Sequence, residues 1–486
     1  MNSSSNLVNQ GSDNMKQKIL ILGLGRYATG SGVSAALYFA KRGDDVIVTD
    51  ALPLKEVKDN VAQLKKYKNV KFHLGGLKLK DVDWADIVAK NPGVRRNDPM
   101  YLRAKKLGKP IVNDITIFLE KCPCLTIGIT GTRGKSTTTA WIGDMLKRSG
   151  KTAYIGGNIT VSPLTFLTKL KKSDIAVIEL SSWMLETCGE VGISPHIAVW
   201  TNLMRDHLNT YDGMDDYAEA KAQIIRHQKP NDIFIANLDN DYVANYVSEA
   251  PGTVKGFSAK KKSKSVAWIS KDKIVLQDGK KLIEIISTKD IGLSGAHNIK
   301  NALAAIITAK EAGANLKGIR ESLKKFTGMP YRQEIIAVKN GITFVNDTTS
   351  TTPDAALAAI TRFAGKNHTL HWICGGAEKD LPYDELTSKV KSLTPALRSF
   401  SEGVSNVDVQ VLDGTAFKRF TSAMKKEGIE FTKNSSLKSA FENCIKSAKH
   451  GDVILLSPAC SSFGMFKNEF DRGDQFNKLV HEFDRL

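Results

Sequence analysis

At 486 residues the chain exceeds what one hydrophobic core organises and predicts two to four domains. With 42% hydrophobic and 25% charged residues the composition reads as an ordinary soluble globular protein, and no run approaches the ~18 consecutive apolar residues of a membrane-spanning helix. The net charge of +18 comes from lysines in amphipathic spacings and not from a basic motif interleaved with aromatics, which argues against a nucleic-acid reader and suits acidic small substrates.

Residues 1–16 are polar and lack the apolar core of a secretory signal, so a flexible tail on a cytoplasmic protein is expected, with Met15 as an alternative start. Over 17–121 the reading is strand 18-KILILGLG-25, a helix of small residues over 30–43 and strand 45-DVIVTD-50, a βαβ unit. A strand-like stretch, 86-DIVAKNPGV-94, then ends in a Pro-Gly loop, and 111-IVNDI-115 follows a basic helix. Gly23, Gly25 and Ala28 meet the dinucleotide pattern only loosely, with Asp50 closing the second strand. An NAD site, another nucleotide site and a structural turn all stay open from these residues.

The second segment, 122–328, starts at 122-CPC-124. The six cysteines (122, 124, 188, 374, 444, 460) are too few and scattered for a disulfide framework, and no His or Cys pair near Cys122 and Cys124 completes a zinc site, so reduced thiols are expected. Strand 125–130 runs into 128-GITGTRGKSTTT-139 and a helix through Lys147. The ordinary spacing G-x-x-x-x-G-K-[ST] would need a glycine where Ile129 stands, so the loop is shorter, bracketed by Gly131 and Gly134. Backbone N–H groups from Gly131, Thr132, Arg133, Gly134, Lys135 and Ser136 would cradle phosphate oxygens, Lys135 adds a point charge, and Ser136 or Thr137 offers Mg²⁺ a hydroxyl. Strands 175–180, 197–202 and 232–239 predict a mostly parallel sheet. Glu179 at a strand's carboxyl end is placed for a metal, and Asp206-His207 with Lys221 make a candidate cluster for a second one. A lysine-rich region over 254–290 reads as a small antiparallel excursion before an alanine-rich helix over 295–313.

The third segment, 329–486, repeats the α/β rhythm at 342-ITFVNDTTSTTP-353, 369-TLHWICGG-376, 408-DVQVLDG-414 and 452-DVILLSPACSS-462. Each of these strands ends in small or polar residues, where open α/β sheets hold ligands.

Taken together, 131-GTRGKST-137, 179-ELSSW-183, 202-NLMRDHLNTY-211 with its downstream Ala-Lys, 297-HNIKN-301, 331-YRQE-334, 457-SPACSS-462 and 467-KNEFDRG-473 resemble the Mur ligases, and the likeness spans the chain beyond its tail. The resemblance implies a Rossmann-like N-terminal domain for the UDP substrate, a central P-loop ATPase-type domain and a Rossmann-like C-terminal domain. It implies a cytoplasmic, monomeric ligase adding D-glutamate to UDP-N-acetylmuramoyl-L-alanine through an acyl phosphate, with ATP and Mg²⁺, and without nucleic acid or membrane insertion. One metal would be held by Ser136 and Glu179, another by His207 and a carbamylated Lys221. Gly25, Thr29, Asp50, Asn158 and His207 would meet the UDP substrate, and Asn301, Arg332 and Asp347 the ATP. Lys379, Ser462 and Phe470 would meet glutamate. Because ATP-side and glutamate-side residues fall in different segments, closure of the third is expected.

Arg133 stands where these ligases carry Asn, Thr349 where the glutamate-adding members often carry Lys, and Glu469 where an aromatic is expected unless Phe470 takes that part. The loop 23-GLGRYATGSG-32 is also longer than usual. L-glutamate or another amino acid therefore remains an alternative donor, and an NAD-binding oxidoreductase or regulator the alternative from another class.

Overall fold

In a computed structural model of the chain, residues 16–158, 161–206, 210–293, 295–365, 367–378, 381–393, 406–462 and 464–483 are described. The tail expected over 1–16 falls outside them except for Lys16, as does Met15. The chain forms two compact units, Met1–Phe326 and Thr327–Leu486.

The first unit holds two sheets. Strands β1 (Lys18–Leu22), β2 (Asp45–Asp50), β3 (Val70–Leu74), β4 (Ile87–Lys90) and β5 (Ile111–Val112) pair in the parallel order β3-β2-β1-β4-β5. The order reverses between β1 and β4, which opens a crevice at their carboxyl ends. The strand expected over 111–115 stops at Val112. Asn113 caps the helix Asp114–Lys121 in a reciprocal box with Thr116, which turns the chain out of the sheet.

The second sheet comprises β6 (Leu125–Thr130), β7 (Ala153–Gly157), β8 (Ile175–Glu179), β9 (Ile197–Trp200), β10 (Ile233–Asn237), β11 (Thr253–Ser258), β12 (Ser265–Ser270), β13 (Lys273–Asp278) and β14 (Lys281–Ser287), ordered β14-β13-β12-β11-β10-β9-β6-β8-β7. Apolar residues alternate between its faces, as a sheet covered on both sides requires. Ile127, Ile129, Val177 and Val199 meet Trp141, Ile142 and Met145 of the helix Lys135–Arg148 and the alanine-rich helix Ala296–Glu311. Ala176, Ile178, Ala198 and Trp200 meet the helices Ser182–Val191 and Met214–Arg226. The small antiparallel excursion expected over 254–290 is present as β12, β13 and β14, and it continues this sheet through β10, β11 and β12, which pair in parallel.

The second unit carries β15 (Glu334–Lys339), β16 (Ile342–Asn346), β17 (Thr369–Cys374), β18 (Asn406–Leu412), β19 (Thr432–Asn434) and β20 (Val453–Leu456), ordered β15-β16-β20-β17-β18-β19 and parallel except for β15. Its strands also end in a polar row, Asn346-Asp347, Gly375-Gly376 and Ser457.

Candidate active site

The short loop after β6 is built around its two glycines. Gly131 (φ 145°) and Gly134 (φ 82°) adopt conformations that side chains resist, and both lie against neighbours. A Cβ on Gly131 would stand 2.0 Å from Thr201 Oγ1, and one on Gly134 2.4 Å from Asn301 Oδ1. Asn301, expected on the adenine side, therefore packs on the loop itself. Gly134→Ala is expected to destabilise the protein by about 1–3 kcal/mol and to weaken ATP binding, checked by thermal melting and calorimetric titration with ATP.

Thr201 and Asn202, which follow β9, fix the loop from the side. Asn202 accepts the Thr132 N–H through its carbonyl (3.0 Å) and the Arg133 N–H through Oδ1 (2.9 Å), while the Arg133 carbonyl accepts from Thr201 Oγ1 (2.7 Å) and Asn202 Nδ2 (3.0 Å). The phosphate cradle expected over 131–136 is corrected accordingly: the Thr132 and Arg133 amides are engaged by Asn202. The first internal bond of the helix that follows runs from Thr138 N–H to the Gly134 carbonyl, so the amides before it have no acceptor within the helix, an arrangement that suits an anion. The Arg133 side chain is exposed, and Ser136 is buried beneath the loop.

Two lysines meet at one carbonyl. Lys135 Nζ donates to the Gly131 carbonyl (2.9 Å) and the Thr132 carbonyl (3.2 Å), and Lys221 Nζ reaches the same Gly131 carbonyl at 3.3 Å. Lys221 is 2% exposed, with its amine 4.5 Å from the Tyr217 ring centre. Burial, reinforced by the Lys135 charge, holds the Lys221 ammonium well below its ordinary range, against the opposing pull of Asp206 and Glu179. Glu179, at the end of β8, is also 2% exposed. Its Oε1 accepts from Asn158 Nδ2 (2.9 Å), while its Oε2 is buried with no hydrogen-bond partner among the described residues. A buried carboxylate oxygen without a partner is costly unless a cation meets it, and Ser136, at the start of the helix that follows the neighbouring strand β6, is a hard oxygen donor as well. The residues therefore fit a divalent cation such as Mg²⁺. Thr137 is half-buried on the helix, and His207 lies outside the described residues.

At the crevice of the first sheet, Asp50 Oδ2 accepts the Leu24 and Gly25 amides (2.8 and 3.0 Å) and Oδ1 the Leu52 amide (2.9 Å). The acid expected among the residues that meet the UDP substrate thus also shapes the glycine loop. Gly25 has φ 78°, its carbonyl is held by Asn60 Nδ2 (2.6 Å), and the Thr29 carbonyl accepts the Ser162 N–H (2.8 Å) from the central sheet's side. Asn91, in the Pro-Gly loop after β4, lies 3.0 Å from where a Gly23 Cβ would be, so it borders the crevice.

Sequence reasoning also missed Arg96. Its Nε binds Glu186 (3.0 Å), its Nη1 binds both oxygens of Asp216 (2.9 and 2.8 Å), and it covers the Tyr211 ring at 4.9 Å. This ties the first sheet's loops to the helix that carries Lys221.

In the second unit Asp347 is buried at the end of β16. It accepts from Gln333 N–H (3.0 Å), from Ser457 Oγ (2.8 Å) and from Ser350 Oγ. Burial outweighs these bonds and the nearby Arg332, and pushes the carboxyl up to about 6. The folded state thus binds this proton more tightly than the unfolded chain. Stability of the unit is expected to be greatest below the ordinary Asp range and to fall, by on the order of 3 kcal/mol, as pH rises from about 4 through about 6. Melting against pH checks this, and Asp347→Asn should remove the slope.

Ser462 Oγ is buried with no hydrogen-bond partner among the described residues, a donor free to meet a ligand. Phe470 packs edge-on against Tyr331 (5.7 Å between ring centres), whose carbonyl accepts from the Thr349 hydroxyl (2.8 Å). Arg332 is exposed, between Tyr331 (φ 63°) and Gln333 (φ 48°), and Lys379 lies outside the described residues. Arg472 is fully buried. It binds Thr348 Oγ1 (3.0 Å) and the Thr348 carbonyl (2.9 Å), so it fixes the loop after β16.

Three family profiles match the chain in order: Mur ligase MurD-like, N-terminal domain, over residues 17–113; Mur ligase middle domain over 129–309; and Mur ligase, glutamate ligase domain, over 331–460. A UDP-N-acetylmuramoylalanine–D-glutamate ligase of Roseiflexus sp. (strain RS-1) is 34% identical over 479 residues, covering 96% of this chain and 99% of that protein. Its counterpart in Acetivibrio thermocellus is 32% identical over 465 residues, covering 96% of each. Among solved structures, UDP-N-acetylmuramate-alanine ligase MurC from Thermotoga maritima shares the fold at TM-score 0.57 and 20% identity, over 96% of this chain and 100% of that one.

Proposed function

The chain belongs to the Mur ligase family, and from that premise we propose that it joins D-glutamate to UDP-N-acetylmuramoyl-L-alanine in peptidoglycan-precursor synthesis, turning ATP over to ADP and phosphate. The alanyl carboxylate of the substrate attacks the γ-phosphorus of ATP and ADP leaves. The amino nitrogen of glutamate then attacks the acyl phosphate, loses a proton and expels phosphate. The observation that carries the chemistry is the pair of lysines on the Gly131 carbonyl, one of them buried, beside a phosphate loop. The identity of the donor rests on the 34% and 32% identical relatives.

The helix-start amides and Lys135 bind the phosphates and oppose the charge gathering on the transferring group. Ser136 and Glu179 would hold one Mg²⁺, and His207 with Lys221 a second. Bound Mg²⁺ supplies Lewis-acid screening of the phosphoryl oxygens. For Lys221 this requires carbamylation, in which the neutral amine adds to CO₂ and releases a proton to leave an anionic oxygen ligand. The environment that disfavours its ammonium supports that step. Asn301, Arg332 and Asp347 take the ATP, the crevice residues Gly25, Thr29, Asp50 and Asn158 the UDP substrate, and Lys379, Ser462 and Phe470 the glutamate. The domains run over 17–121, 122–328 and 329–486. Among the described residues no helix is long and apolar enough to cross a membrane, and a cytoplasmic monomer is the form proposed.

Phosphate release by the purified chain with UDP-N-acetylmuramoyl-L-alanine, ATP and Mg²⁺ tests the reading against a panel of D-glutamate, L-glutamate, L-alanine and meso-diaminopimelate. Turnover with D-glutamate alone is expected. Turnover with another donor alone would reassign the specificity, and none with any donor would sink the proposal.

A further inference from the structure

Toward the amino ends of strands β17 and β18, away from Asp347 and Ser462, lies a largely buried polar cluster that the proposed ligase reaction does not use. His371 is the third residue of β17, 1% exposed, and Asp408 pairs with it in register on β18. His371 Nδ1 lies 2.8 Å from Asp408 Oδ2, and Cys444, buried on the helix Leu437–Ser447, faces the same point. One ligand atom from each of His371, Asp408 and Cys444 falls within 4.8 Å of the others.

We propose that His371 Nδ1, Asp408 and Cys444 Sγ form a zinc-binding site, with water as the fourth ligand, that clips β17 and β18 to the helix Leu437–Ser447. Imidazole, carboxylate and thiolate are the donors zinc takes, and its bond lengths of about 2.0–2.3 Å set tetrahedral ligands about 3.3–3.8 Å apart. Closing the cluster from 4.8 Å needs shifts on the order of 1 Å.

The surroundings are already those of a metal site. Asp452 is fixed by the Lys449 and Thr369 amides (2.8 and 2.7 Å) and lies 3.3 Å from His371 Nε2. It thereby holds a proton on Nε2 and directs Nδ1 to the metal, the carboxylate–histidine–zinc arrangement. Gln410 Nε2 donates to both oxygens of Asp408 (3.0 and 3.2 Å) and orients that ligand. Zinc takes a neutral imidazole nitrogen and a thiolate, so its binding releases protons.

Metal-stripped full-length protein is expected to bind one zinc ion tightly, with release of protons read from calorimetry in buffers of different ionisation enthalpy. Cobalt(II) should give a thiolate-to-metal charge-transfer band that persists in the double variant Cys122→Ser/Cys124→Ser and disappears in Cys444→Ala. Asp452→Asn should weaken zinc binding about 10–100-fold. No such band in the unaltered chain, or a band that survives Cys444→Ala, overturns the site. Should Cys444→Ala not fold, Asp408→Asn decides on a partly exposed position: unchanged zinc affinity refutes the proposal, and a loss of tenfold or more supports it.

Discussion

Lys221→Ala is expected to lower the rate of phosphate release by at least about 10²–10³-fold, with binding of the UDP substrate retained. The amine is 2% exposed and sits beside Lys135, so an unmodified ammonium there is disfavoured twice, by desolvation and by like charge. A group so placed is a poor structural cation and a good candidate for conversion to a carbamate. Melting of the variant is expected to be unchanged or raised, because a desolvated amine has been removed. Short carboxylic acids such as acetate should restore part of the rate by supplying the missing anionic oxygen. Wild-type turnover in Lys221→Ala without any added acid would refute the carbamate role.

Lys135→Ala is expected to abolish phosphate release, by about 10³-fold or more, again with the UDP substrate still bound. Its effect reaches further than a lost phosphate contact. Lys135 is one of the groups that hold the Lys221 ammonium down, so its removal lets Lys221 retain a proton and resist carbamylation. The two lysines should therefore act as a unit, and the double variant should be little slower than either single one. Multiplying effects would show that the lysines work independently. Near-normal ATP turnover in Lys135→Ala would exclude the assigned loop.

What sequence reveals about this site follows from how chemically distinctive each position is. A glycine-bracketed Lys-Ser-Thr between strand and helix declares its backbone, and the loop lies where the spacing placed it, after β6. The partners that shape it do not: Thr201 and Asn202 are ordinary polar residues after a strand, seventy positions away, and only pairing of β6 with β9 brings them to the loop. Asp50 shows a second role that the sequence does not declare, since an acid closing a second strand suggests a ligand while the structure shows its oxygens bound by three amides of the adjoining loops. Arg96 gave no local signal because its partners lie 90 and 120 positions on. Strand β7 was missed because its two closing glycines break the apolar pattern, although Gly157 is needed there: a Cβ would meet the Glu179 carbonyl at 2.1 Å. The antiparallel strands expected over 254–290 are there, but that they continue the central sheet through β11 and β12 is a matter of topology, which periodicity does not encode.

The fit between Gly134 and Asn301 has a consequence for how such a chain can change. With a Cβ at 134 only 2.4 Å from the amide oxygen at 301, position 134 has no room for a side chain while asparagine stands at 301. In a library randomised at both and selected for growth, alanine at 134 should survive only beside a shorter residue at 301. The two positions would then covary although 167 residues separate them in the chain.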